Sequence, residues 1–170
     1  SHDFAARRGL NGSAYIERVA PGEQAAIDWL VQHADPGDAV VEAPGCSYVN
    51  VAGVPTSRLS AFSGVPTLVG WWGHEWQWRR GRDDIQIVLD DRTARANAIL
   101  DGAVSVSDVD ARFVVLGVVE ASGNAVCDKA PELGADAEAS LAAAGWMPAF
   151  EADGTTILVR PNDPLVAQSD

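Results

Sequence analysis

Trp71, Trp72, Trp76 and Trp78 stand within eight residues, with His74, Glu75 and Arg79 threaded between and after them. The chain has only six tryptophans, so this is a local concentration. Indole faces stack on sugar rings or peptide side chains, and the planar guanidinium fork binds phosphate or carboxylate. Trp and Arg are also the side chains enriched where proteins recognise partners. Residues 70–82 carry three arginines against one glutamate, a local formal charge of +2 in a chain of net charge -12. Four readings compete for this block. It is a recognition surface, or an aromatic-rich core loop with a solvated arginine end, or a structural knot around a buried Glu75–Arg58 or Glu75–Arg79 pair, or a plug that docks at a membrane interface, where Trp and Arg are also at home.

Familiar catalytic and metal-binding patterns do not complete themselves here. His74-Glu75 begins like HExxH, but Trp78 stands where the second histidine would be. The chain has three histidines, His2, His33 and His74, so no metal site is expected. Neither a P-loop, a G-x-S-x-G elbow nor a G-x-G-x-x-G turn follows a strand, and no cofactor is expected. An acid–base pair of His74 and Glu75 is a weak hydrolase reading, because neighbours in sequence point in different directions. The two cysteines, Cys46 and Cys127, are either reduced core thiols or one disulfide; each follows an apolar run, so parallel strands would bring them to the same sheet edge.

Positioning these side chains requires a scaffold, and the composition allows one. The chain has 170 residues, 47% hydrophobic and 21% charged, enough for one domain with a real core. An excess of 24 acids over 12 bases repels phosphate backbones and excludes whole-surface nucleic-acid binding. It also disfavours anionic lipid headgroups. The strongest apolar run, Phe113 to Val119, is too short to span a bilayer.

The pattern predicts an α/β fold, a single three-layer-like domain with a mostly parallel central sheet and a C-terminal β-hairpin. Pro21 opens a helix whose Ala26, Trp29, Leu30 and His33 share one face. Asp35-Pro36-Gly37-Asp38 turns into a short strand at Ala39–Glu42. Arg58 to Phe62 alternates as a strand, and Thr67–Val69 is extended. Asp83–Leu89 and Thr93–Leu100 read as two helices broken at Asp90-Asp91. Asp108 to Val119 is a strand, and Asp136–Ala144 is a helix stopped by Gly145. Trp146–Phe150 and Thr155–Arg160 form a hairpin about Asp153-Gly154. Ser1-His2 reads as a cloning remnant within a flexible start at 1–8, the domain covers 9–160, and 161–170 is a flexible tail.

The segment Ser60-Ala61-Phe62-Ser63-Gly64-Val65-Pro66-Thr67-Leu68-Val69-Gly70-Trp71, then His74-Glu75 and Gln77-Trp78-Arg79, resembles the hallmark of the Chlor_Arch_YYY (DUF2298) family of polytopic membrane proteins from archaea, Chloroflexi and actinobacteria. Leu10-Asn11-Gly12 with Tyr15, Ala26-Ile27-Asp28-Trp29-Leu30, Glu42-Ala43-Pro44-Gly45 with Ser47-Tyr48, and Phe113–Gly117 with Glu120 extend the likeness over roughly 9 to 160. Phe113 stands where the family usually has Tyr. The resemblance implies an extracytoplasmic soluble domain at the C-terminal end of a membrane protein, with the parent in the cell membrane. It further implies a relation to GT-C glycosyltransferases, which use a lipid-linked sugar, with the catalytic carboxylates in the membrane region and unknown here. The partners implied are the parent's own transmembrane region and a glycan, lipid-phosphate or peptide acceptor. The candidate ligand-binding residues are Tyr48, Arg58, Trp71, Trp72, His74, Glu75, Trp76, Trp78, Arg79 and Glu120: the indoles as stacking platforms, Arg58 and Arg79 for phosphate or carboxylate, His74 and Glu75 for hydroxyls, Tyr48 and Glu120 on the rim. The competing expectation is a non-catalytic scaffold that docks on its own membrane helices.

Overall fold

A short helix, α1 (Ile16–Val19), leads into α2 (Pro21–His33). Pro21 sits in the first turn of α2, where its missing N–H costs nothing. Ala26, Ile27 and Leu30 are buried along one face. Trp29 is tilted against Phe150 at 5.7 Å and meets Phe113 edge-on at 5.9 Å, so α2 is anchored on the sheet by aromatic contacts. This is a computed structural model, and it describes residues 13–47, 49–122, 133 and 136–166.

The sheet is mixed. β1 (Val40–Val41), β4 (Phe113–Leu116), β6 (Thr155–Val159) and β5 (Met147–Ala152) lie in that order. β1 and β4 run parallel, with Val40 opposite Phe113, whereas β6 is antiparallel to both β4 and β5. Parallel bridges from Val40 to Thr67 and from Gly45 to Trp71 lay the segment 67–71 along the outer side of β1. Phe113, Val114 and Val115 are all fully buried, so both faces of β4 are covered, as a parallel pairing requires. β2 (Asn50–Val51) and β3 (Val54–Pro55) form a separate small hairpin. The C-terminal hairpin turns at Asp153 and Gly154, both with positive φ (42° and 78°), the conformation that matches strand twist in a two-residue loop.

Three elements differ from the sequence reading. Arg58–Ser63 is a helix, α3, not a strand. Its first amides are capped by a distant carboxylate: Glu42 accepts N–H bonds from Leu59 (3.0 Å) and Ser60 (2.9 Å). That tertiary cap outweighs the local alternation. Ile85–Leu100 is one continuous helix, α5. Leu89, Thr93, Ala96, Ile99 and Leu100 form an unbroken buried stripe, and Asp90 is held within the helix by a bond from the Trp72 indole. The strand after Asp108 is only β4, because Gly117 starts the short helix α6 (Val118–Ala121).

α7 (Ala137–Ala143) ends as expected near Gly145, whose φ is 100°. Beyond β6, Asp163 pairs with Arg112 at 2.7 Å and Leu165 is buried. Among the described residues no helix is long and apolar enough to cross a membrane.

Candidate functional site

The tryptophan block is the helix α4 (Trp72–Arg79), and none of its residues is buried. Two backbone bonds place its start at the carboxyl end of β1: Trp72 N–H donates to the Gly45 carbonyl and Gly73 N–H to that of Cys46, at 2.8 and 2.9 Å. Glu120 comes to the same end of β1, since the Ala43 N–H donates to it at 2.8 Å. Tyr48 lies outside the described residues.

The four indoles do not act alike. Trp71 donates its Nε1–H to the Thr56 carbonyl and Trp72 donates its own to Asp90, both at 3.0 Å. These two rings are half-buried and tie α4 to the β3–α3 connection and to α5. Trp76 and Trp78 are 39% and 70% exposed. The exposed aromatic surface therefore narrows to the C-terminal half of α4, where Arg79 and the following Arg80 are also exposed.

His74 and Glu75 diverge. His74 Nε2 and the Ser47 hydroxyl share a hydrogen bond of 2.7 Å, with the Trp71 and Trp78 rings 5.8 and 5.6 Å from the imidazole. Glu75 accepts the Gly70 N–H at 3.0 Å and pairs with Arg79 at 3.4 Å. They do not form an acid–base pair with each other. The Glu75–Arg79 pair is one helical turn long and half open to water, worth a few tenths of a kcal/mol at most.

Arg58 corrects the sequence reading. It is fully buried and cannot reach an external phosphate or carboxylate. Its fork is bidentate to Glu23, through Nε (2.8 Å) and Nη2 (3.0 Å), and bidentate to Glu120, through Nη1 (2.9 Å) and Nη2 (2.6 Å). Glu42 approaches Nη1 at 3.5 Å. Glu120 is likewise turned inward rather than lining a rim; its two oxygens also accept the N–H groups of Ala43 and Gly117. Glu23 accepts the Val118 N–H at 2.8 Å. One guanidinium thus fastens α2, α3, α6 and the end of β1 together, with every carboxylate further fixed by backbone donors.

The electrostatics follow from this packing. Burial pushes the Arg58 guanidinium down, but Glu120, Glu23 and Glu42 outweigh it and hold it above its ordinary value. Burial disfavours the Glu120 carboxylate, yet Arg58 and the backbone donors keep it below the usual range. Glu42 is pushed up by burial, which Arg58 and the Ser60 N–H only partly offset.

Glu23, Ser47 and Thr56 were not singled out as site residues from the sequence. Glu23 was legible: it precedes Ala26, Ile27 and Leu30 by three, four and seven positions, so it lies on the buried face of α2. Ser47 and Thr56 carried no such signal, because loop positions gain partners only through the fold. Cys46 is disulfide-bonded; the second cysteine of the chain, Cys127, lies outside the described residues. No family model, curated protein or solved structure matches the chain.

Proposed function

We propose that the chain is the extracytoplasmic domain of a polytopic membrane protein and that it recognises an acceptor or ligand for a GT-C-like glycosyltransferase that uses a lipid-linked sugar. The observation that carries this reading is the outer end of α4: two indoles and two guanidinia presented to solvent in an otherwise acidic chain. Arg80 has no ion-pair partner among the described residues, so it is free to meet phosphate or carboxylate. Trp78 offers a stacking face, with His74 against its edge. Arg58 and Glu120 leave the ligand-binding set and become the lock beneath it. In the same reading, the segment 67–71, β1 and β4 make up the mostly parallel part of the sheet, layered between helices.

The test is titration of the chain with a short-chain isoprenyl phosphate and with free oligosaccharides and peptides. Binding should weaken about tenfold or more in Trp78→Ala and Arg80→Ala, in line with the loss of a recognition hot spot. Binding that survives both substitutions refutes the assignment.

A second reading is a scaffold that docks on its own membrane helices. It is favoured by exposed apolar side chains on neighbouring helices, Trp78 on α4 and Ile87 on α5, the latter 65% exposed. In that case the chain alone self-associates in analytical ultracentrifugation, Trp78→Ala abolishes the association, and none of the ligand probes binds.

A further inference from the structure

A cleft of about 270 Å³ is lined by Tyr15, Asn50, Pro55, Ala61, Phe62 and Trp71, and includes none of the exposed residues of α4. The three rings come from three places in the chain: the residue before α1, the end of α3 and the residue before α4. None of these six lining side chains is charged, so among the described residues nothing in the wall neutralises a phosphate, a carboxylate or a protonated amine. The Trp71 Nε1–H is already committed to the Thr56 carbonyl, so the indole presents carbon surface rather than a donor. Among the described lining residues only Tyr15 and Asn50 have further polar side-chain atoms to offer, too few to satisfy the hydroxyls of a sugar ring. What remains is an apolar body or a soft cation. The net charge of -12 decides between them, because a field of that sign concentrates cations at the surface while leaving neutral solutes unaffected.

We propose that this cleft binds a methylated ammonium ion, held by the π-faces of Tyr15, Phe62 and Trp71. A quaternary nitrogen has no N–H to satisfy, which suits an uncharged wall, and its positive charge is spread over methyl groups that fit against aromatic rings. A primary ammonium has three N–H groups to satisfy on losing its hydration, more than the Tyr15 and Asn50 oxygens can match. Burial pushes the Tyr15 phenol up, so that ring stays neutral while it lines the site. This site is separate from the α4 surface and does not depend on the recognition function proposed for it.

Ligand-observed NMR with choline as the probe tests the proposal on the intact chain. Choline should bind, and 3,3-dimethylbutan-1-ol, its neutral isostere, should bind about tenfold more weakly, the difference expected for a desolvated cation over aromatic faces. Phe62→Leu keeps an apolar wall but removes one π-face, and should weaken choline several-fold while leaving the isostere nearly unchanged. Tyr15→Leu gives an independent reading should Phe62→Leu fail to fold. Trp78→Ala should leave choline binding intact, which separates this site from the α4 surface. Equal binding of choline and the isostere overturns the proposal, as does binding of methyl glucoside in the absence of choline binding, or unchanged choline affinity in folded Phe62→Leu and Tyr15→Leu.

Discussion

Replacing Arg58 with methionine keeps much of the side-chain volume and removes the one cation that pairs with Glu23, Glu42 and Glu120 among the described residues. Four guanidinium hydrogen bonds of 2.6 to 3.0 Å disappear, and three carboxylates are left together out of water. Breaking a buried ion pair by removing one partner costs about 3–5 kcal/mol. A domain of this size holds only about 5–15 kcal/mol in total, and each kcal/mol moves its melting midpoint by about 2–4 °C. The expected fall is therefore about 6–20 °C at pH 7, read by circular dichroism. The pH dependence gives a second, sharper reading. In the parent, Glu120 lies below its ordinary pKa, so its contribution is present above the unfolded value and lost as pH falls through the folded one. In Arg58→Met the same carboxylates are pushed up by burial and by each other, so they bind protons more tightly when folded. Their contribution is then present at low pH and lost as pH rises. The two melting curves should converge on acidification from pH 7 toward 4. A variant that melts within about 2 °C of the parent at pH 7, or whose deficit widens in acid, refutes the claim that Arg58 holds this cluster together.

Further tests address the lock from its backbone side and the fold elsewhere. A Cβ at Gly117 would overlap the Glu23 carboxylate and come within 2.7 Å of Arg58 Nη2, so Gly117→Ala should destabilise by about 2 kcal/mol or more in urea titration, a large effect for one methyl group. Asp163 is held below its ordinary pKa first by its bond from Arg112. Its contribution is present above the ordinary carboxylate range and lost as pH falls through the lowered value, so Asp163→Asn should cost about 1–2 kcal/mol at pH 7 and progressively less below pH 4. Gly154 at φ 78° supplies a left-handed residue in the hairpin turn; Gly154→Ala should cost about 1 kcal/mol, measured by the shift of the urea midpoint.

What was legible in the chain is what depended on near neighbours. The helix from Pro21, the turn at 35–38, the stop at Gly145 and the hairpin about Asp153-Gly154 are each fixed by a residue whose backbone preference is intrinsic. The errors lie where a distant group intervenes. Arg58–Ser63 alternates like a strand, and nothing within it announces that Glu42 will cap its amides. Asp90-Asp91 reads as a break, and the indole of Trp72, eighteen residues earlier, makes Asp90 a partner inside a continuous helix.

The same distinction divides the candidate site. Residue type alone marked Arg58, Glu120 and the α4 residues together, since buried and exposed ionisable groups look identical in a sequence. The fold separates them by coordination. Arg58 meets three carboxylates at full burial, so its charge is spent internally and its worth is positional. Among the described residues Arg79 pairs with Glu75 at 3.4 Å and is half exposed, and Arg80 is exposed too, so charge remains available there. The two populations are connected through covalent and hydrogen-bonded steps: Glu120 holds the Ala43 N–H, two residues further on Gly45 bonds to Gly70 and Trp72, and Trp72 begins α4. Loosening the Arg58 cluster should therefore alter the setting of α4 without touching any exposed residue. Near-neutral Glu120→Gln, which preserves shape while weakening the charge-assisted bonds, separates the two roles. Hydrogen exchange at the amides of Ala43, Gly45 and Trp72 should quicken in that variant. Were protection at Gly45 and Trp72 to stay unchanged while Ala43 loses it, the lock and the surface would be independent parts of the molecule.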